Sequence, residues 1–124
     1  MMKRFLPLAL LLGLTACTTT LTNLTPRTHQ RNTNGLYPVE VMWDSKAADI
    51  KKDTIQAFVI VGEDAYPMHR SPMLTNRWEA LLPVPADKDF VNYRYKFDYL
   101  YKKIPAPAPS SKMSDPYQLQ IVDR

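Results

Sequence analysis

The side chains that could do acid–base or nucleophilic chemistry are few in this sequence, and they do not form a catalytic pair. Histidine occurs only at positions 29 and 69, and His69 lies two residues before Ser71. A nucleophile needs a base within hydrogen-bond reach, and near neighbours along one strand do not meet in that way. We therefore predict that the protein is not an enzyme and that both histidines are solvated.

The acidic side chains do not predict a metal site either. Structural zinc requires clustered Cys and His, and the chain has one cysteine and two separated histidines. Asp87 and Asp89 share a short loop, but the acidic loops lack the ligand spacing of a calcium site. The three scattered glycines form no phosphate-binding loop. We expect no metal and no cofactor.

The charge distribution argues against a nucleic-acid partner. The chain has 16 basic and 12 acidic side chains, and the two kinds are interleaved along it. A nucleic-acid-binding protein instead shows a basic stripe or patch. The partners left open by composition are a protein, a glycan and a membrane surface.

The single cysteine follows an apolar N-terminal segment. Lys3 and Arg4 precede twelve mostly apolar residues, 5–16, and Cys17 comes next. A basic start followed by a short apolar run is typical of an export signal. The run is too short to span a bilayer as a helix, which takes about 20 residues. We predict that residues 1–16 are a signal peptide.

The residues around the predicted cleavage site, Leu14-Thr15-Ala16-Cys17, resemble the lipobox of bacterial lipoproteins. The resemblance implies that the Cys17 thiol receives a diacylglyceryl group, that the chain is cut before Cys17, and that a further acyl chain such as palmitate can be added to the new amino terminus. Thr18 stands where an Asp would resemble the inner-membrane retention signal of Gram-negative lipoproteins. The expected location is therefore the outer membrane, on a face that the sequence leaves open.

Residues 17–34 are rich in Thr and Asn and follow neither a strand nor a helix period. We predict that they form a flexible tether behind the lipidated Cys17. A flexible coil of this length spans on the order of 20–25 Å. Such a tether would hold the remaining domain, residues 35–124, clear of the lipid surface.

The most regular pattern in the chain is Phe90–Tyr101, in which aromatic or β-branched residues alternate with polar ones. Side chains on a strand alternate with period two, so the pattern predicts one long half-buried strand. Further strands are predicted at 36–43, 54–61, 65–70, 77–84 and 116–122. The prolines of 104–115 predict an extended loop there, because proline cannot occupy a helix interior or a central strand.

Six short strands without a strong amphipathic helix predict an all-β fold, a single antiparallel immunoglobulin-like β-sandwich. One cysteine cannot form an internal disulfide, so the apolar core must hold the two sheets together. We expect four large aromatic side chains to fill the space between the sheets: Trp43, Phe58, Trp78 and Phe97.

The remaining candidates for function are aromatic side chains at strand ends and edges. Tyr99 and Tyr101 end the longest predicted strand, Trp78 lies near the start of another, and Tyr66 lies in 65–70, which its proline assigns to a sheet edge. Grouped aromatic side chains mark binding surfaces, and an edge strand can add a partner's strand. We predict that these four residues contact a protein partner.

Two resemblances suggest functions for such a domain. Trp78–Pro83 and Tyr93–Asp98 look like the W…LP…YxYKF run of glycogen- and starch-binding β-sandwich modules, although the glycine near Pro85 and the second sugar-stacking tryptophan of those modules are missing. This implies, as an alternative, a surface carbohydrate-binding module, which would need a flat exposed ring at Trp78, Tyr99 or Tyr101.

The overall layout is also similar to small β-sandwich lipoproteins that serve as pilots or anchors of bacterial secretion and surface assemblies. That similarity implies a membrane-anchored, non-enzymatic lipoprotein whose domain binds a protein partner in a cell-envelope or surface assembly. Of the two functions, the sequence favours this one.

Overall fold

The computed structural model describes residues 19–123, which form ten β-strands. The strands are β1 (Thr19–Asn23), β2 (Thr28–Gln30), β3 (Leu36–Ser45), β4 (Ile50–Val61), β5 (Asp64–Pro67), β6 (His69–Arg70), β7 (Arg77–Pro83), β8 (Phe90–Tyr101), β9 (Ala108–Met113) and β10 (Tyr117–Val122). Within these residues no helix has the length and apolar character needed to cross a membrane.

The strands form two sheets that face each other across one apolar core. The smaller sheet has the order β1-β3-β7-β6, and the larger has the order β2-β10-β8-β4-β5, with β9 paired to β8 beyond the end of β10. All pairs are antiparallel except β2 with β10, which is parallel. This arrangement confirms the predicted immunoglobulin-like β-sandwich.

Strand β8 organises the larger sheet and has the bounds that its alternating pattern predicts. It pairs with β4 along one side, and with β10 and then β9 along the other. Its odd-numbered side chains from Tyr93 to Tyr99 are buried between the sheets, whereas its even-numbered side chains face outward. One strand thus supplies a large part of the core.

Aromatic rings fill the half of the core nearest Thr19. The ring centroid of Phe97 lies 4.8 Å from that of Trp43 and 5.9 Å from that of Trp78. These three residues confirm the prediction, but Phe58 does not. Ala57 and Val59 face the core, so Phe58 between them points outward, because neighbouring side chains on a strand lie on opposite faces.

The described part of the predicted tether belongs to the sandwich, so the prediction of a flexible tether is wrong there. Strand β1 pairs with β3 over five residues, and β2 pairs with β10. His29 is half-buried, and its Nε2 lies 3.2 Å from the carbonyl oxygen of Pro38. Both strands lie at sheet edges, where polar side chains are tolerated. Cys17 and the predicted signal peptide lie outside the described residues.

The proline-rich stretch also contains a strand that the sequence did not predict. Strand β9 pairs with the second half of β8, so the prediction of an extended loop is wrong for Ala108–Met113. It pairs on one side only, which is where a strand tolerates proline. Beyond the end of β9, Ser114 continues the hydrogen bonding to β8. Its Oγ accepts a hydrogen bond from the Tyr95 amide at 2.8 Å.

The loops collect at two ends of the sandwich. Because Thr19 pairs with Ser45, and Ile50 with Tyr101, the start of β1 and the loops 46–49, 71–76 and 102–107 lie at one end, which we term the N-terminal end. The loops 31–35, 62–63 and 84–89 lie at the opposite, distal end.

Candidate protein-binding face

The four aromatic residues predicted to bind a partner do not form an exposed surface. Trp78 and Tyr99 are only 5% and 7% exposed, so the prediction is wrong for both. Tyr66 and Tyr101 are half-buried and pack against the core.

The rings that a carbohydrate-binding module would present are covered. The guanidinium of Arg70 lies 4.5 Å from the Trp78 ring centroid, and the Tyr101 ring packs edge-on against Tyr99 at 5.6 Å. Trp78 and Tyr99 therefore offer no flat exposed surface on which a sugar stacks, and the half-buried Tyr101 ring is flanked by Tyr99 and by the Lys103 ammonium at 5.9 Å from its centroid.

The predicted edge at 65–70 is confirmed as an edge, but the chain divides it between the two sheets. Strand β5 borders the larger sheet and β6 borders the smaller one. Between them Met68 is buried, and its amide donates to the Ala57 carbonyl at 2.8 Å. Pro67 and the two-residue length of β6 leave little free backbone for strand addition.

The outer face of the larger sheet combines apolar and basic side chains. The strand register places Phe58 beside Lys96, and Lys96 beside Met113. In the next row Ile60 lies beside Arg94. We term this surface the basic–apolar face, and its residues are Phe58, Ile60, Ala65, Pro67, Arg94, Lys96, Met113 and Pro116.

Arg94 lies at the centre of this face, in a groove of about 400 Å³ whose lining includes Ile60, Met113 and Pro116. Lys96 is partly compensated, because its Nζ lies 3.7 Å from a carboxylate oxygen of Asp98. Arg94 has no ion-pair partner among residues 19–123. Among the described residues the face therefore offers an unpaired guanidinium that has Ile60, Met113 and Pro116 beside it, with the polar Asn92 also lining the groove.

The outer face of the smaller sheet differs in its electrostatics. Its Arg77 lies 3.6 Å from a carboxylate oxygen of Glu40, and His69, which is solvent-exposed as predicted, lies 4.0 Å from one of Glu79. Leu81 is exposed there, but Arg77 and Glu40 compensate each other. A charged partner group would have to displace an existing pair on this face.

A buried polar cluster joins the β1–β2 connection to both sheets. The Tyr95 hydroxyl donates to Asn23 Oδ1 at 2.6 Å and lies 3.0 Å from Thr25 Oγ1. The Glu40 amide donates to Thr25 Oγ1 at 2.8 Å. Burial raises the pKa of the Tyr95 hydroxyl well above its ordinary value. This hydroxyl stays protonated, and we assign the cluster a structural role.

Sequence reasoning missed the basic–apolar face for an identifiable reason. The stretch that forms β4 is apolar at both odd and even positions near its end, where Phe58 and Ile60 alternate with core residues. Apolar residues on both sides of a strand are a signal of a second contact surface. Placing Arg94 among them requires the lateral register of three strands, which the sequence does not give.

Comparison with known proteins adds a likeness in fold only. No family model and no curated protein matches this sequence. A solved structure of murine CRIg is similar with a TM-score of 0.47 and 11% sequence identity, over 82% of this chain and 98% of that one. At this distance the likeness says nothing about function.

Proposed function

We propose that the protein is a non-enzymatic lipoprotein of the outer membrane, anchored through lipid on Cys17, whose β-sandwich binds a protein partner in the cell envelope. The observation that carries the partner-binding part is the guanidinium of Arg94, which lies beside apolar side chains on the basic–apolar face and has no ion-pair partner among residues 19–123. The lipobox-like residues that end at Cys17 carry the anchoring part.

The chemistry of the face indicates what the partner presents. Arginine binds carboxylates through paired hydrogen bonds, and it is enriched at protein interfaces together with aromatic and methionine side chains. The apolar neighbours Ile60 and Met113 would exclude water from such a contact. We expect a partner surface with a carboxylate flanked by apolar side chains.

Anchoring strengthens this function through local concentration. A lipid anchor restricts the domain to a layer next to the membrane, so the effective concentration of a partner in the same membrane becomes high. A contact that is weak between free proteins would then be sufficient.

Site-specific photo-crosslinking in intact cells tests the proposal. A photoreactive amino acid at position 113, on the basic–apolar face, should crosslink one defined envelope protein. The same probe at position 81, on the smaller sheet, should not. Arg94→Glu should reduce the crosslink from position 113 at least tenfold, because it replaces the proposed carboxylate ligand with a repelling charge.

Lys88→Glu is the matched control, since it reverses one charge in a distal loop away from the face. It should leave the crosslink intact. A crosslink that survives Arg94→Glu, or equal crosslinks from positions 81 and 113, would show that the partner does not use this face.

A further inference from the structure

The N-terminal end of the sandwich exposes apolar side chains at the tips of two loops. Ile104 in the loop 102–107 is 97% exposed, and Met73 in the loop 71–76 is 85% exposed. They are the two most exposed large apolar side chains in residues 19–123. Leu74, beside Met73, is exposed as well.

Backbone contacts hold the bases of these loops at the same end of the molecule. The Trp43 amide donates to the Asn76 carbonyl at 2.9 Å, which holds the loop 71–76 beside the end of β3. The Lys102 amide donates to the Asp49 carbonyl at 2.7 Å, which holds the loop 102–107 beside the start of β4. Thr19, the first described residue, pairs with Ser45 at this end too.

Lysines occur in the loops and strand ends at this end of the sandwich. Lys102 and Lys103 directly precede Ile104, and further lysines at this end are Lys46, Lys51 and Lys52. None of the five has an ion-pair partner among residues 19–123. Three carboxylates also lie near this end, on Asp44, Asp49 and Asp53, so the end carries a modest basic excess.

We propose that this end binds directly to the phospholipid surface that holds the Cys17 lipid, an inference that rests on the proposed lipid anchor. Two residues after Cys17 the chain is already paired in β1, and two residues span at most about 7 Å. No tether remains to hold the domain away. Ile104 and Met73 enter the interfacial region, and the lysines contact lipid phosphates.

This contact fixes the orientation of the domain. The strands run between the N-terminal and distal ends, so both sheets stand upright on the bilayer. The basic–apolar face then points sideways along the membrane, where a membrane-bound partner can reach it. The distal end points away from the lipid.

The test places environment-sensitive dyes on the full mature lipoprotein. Single cysteines replace Met73, Ile104 or, as the distal control, Lys88; the native Cys17 thiol does not react because it is already bonded to lipid. The labelled proteins are reconstituted in vesicles of phosphatidylethanolamine and phosphatidylglycerol at a ratio of about 3:1. All three sites are exposed, so the substitutions should preserve the fold.

The dyes at positions 73 and 104 should shift their emission to the blue and lose at least half of it to spin-labelled lipid. The dye at position 88 should behave as in water. Protein that floats with the vesicles while all three dyes stay in water would overturn direct seating but leave the anchor. Protein that does not float at all would overturn both the anchor and the seating.

Discussion

The loops at the two ends of this sandwich differ in what they expose to solvent. At the N-terminal end, aromatic rings fill the core, and the loops beyond it expose apolar side chains and lysines that have no ion-pair partner among residues 19–123. At the distal end, polar groups of neighbouring loops bind one another. One end is therefore held together by the contacts of Arg31, and the other exposes apolar side chains at its loop tips.

Arg31 is the centre of the distal end. Its guanidinium donates to Asp123 at 2.6 Å and to Asp89 at 2.8 Å, and it also donates to the carbonyl of Ala86 at 2.8 Å. The hydrogen bond to Asp123 raises the pKa of Arg31. These contacts tie three segments together, and they use groups that could otherwise bind a partner.

The difference between the two ends indicates which surfaces of residues 19–123 are left for interactions. Charges that are paired with each other contribute mainly to the fold, as at Arg31 and on the outer face of the smaller sheet. Cations that have no ion-pair partner within the described part of the chain, next to exposed apolar side chains, are the features left for a partner or a lipid. Here they occur at Arg94 and around Ile104.

The largest expected effect comes from removing the aromatic packing of the N-terminal half. Phe97→Ala deletes the ring between Trp43 and Trp78 and should lower the free energy of unfolding by about 3–5 kcal/mol. Urea unfolding followed by circular dichroism measures it. Leu81→Ala, at an exposed site, should change it by less than about 0.5 kcal/mol. Equal losses in the two variants would contradict this description of the core.

Removing the Tyr95 hydroxyl from the buried polar cluster should lower the free energy of unfolding by a smaller amount. Tyr95→Phe keeps the ring but removes the hydroxyl that donates to Asn23 Oδ1, which then retains only the hydrogen bond from the Thr25 amide at 3.1 Å, so the free energy of unfolding should fall by about 0.5–1.5 kcal/mol. The same urea titration measures it, with Tyr66→Phe at a half-buried site as the control. If Tyr95→Phe is as stable as the native protein, the cluster does not hold the β1–β2 connection in place.

The Tyr95 hydroxyl should also make the free energy of unfolding decrease in alkali. Burial raises the pKa of Tyr95 in the folded protein, whereas in the unfolded chain it ionises near the ordinary value of about 10. Above that pH the unfolded state binds fewer protons than the folded state, so the free energy of unfolding falls as pH rises. Unfolding curves between pH 8 and 11 should show this fall, and Tyr95→Phe should make it shallower. If the free energy of unfolding falls equally steeply with pH in the native protein and in Tyr95→Phe, the Tyr95 hydroxyl is not the cause.

The smallest effect on global stability should come from the distal end. Arg31→Ala removes exposed ion pairs, which salt screens, so the melting temperature should change little. Hydrogen exchange should nevertheless become several-fold faster in 84–89, while 102–107 stays unchanged. Arg27→Ala, another exposed arginine, is the control and should alter neither loop. Unchanged exchange in 84–89 would show that Arg31 does not hold the distal loops together.

Strands in which apolar and polar side chains alternate could be predicted from the sequence. Strands that are held only by backbone hydrogen bonds to a neighbouring strand could not. The alternation in β8 gave its bounds and its buried face. Strands β1 and β9 have no apolar alternation, because they lie at edges and are held by backbone hydrogen bonds to β3 and β8. Their Thr, Asn, Pro and Ser residues therefore predicted a tether and a loop.

The candidate site was less accessible to sequence reasoning than the fold. A search for aromatic side chains led to Trp78 and Tyr99. Both are buried in the core, because burying their large apolar surface is favourable. Arg94 gave no signal of its own, since an arginine on a polar strand position is usually solvated. Its apolar surroundings arise only when β4, β8 and β9 align.

Intact-mass spectrometry of the protein extracted from membranes tests the proposal that Cys17 joins this domain to a membrane. The predicted result is a chain that begins at Cys17 and carries the added mass of a diacylglyceryl group on that residue. A chain that begins elsewhere, with an unmodified Cys17 or none, would contradict the anchor and, with it, the seating of the N-terminal end on lipid.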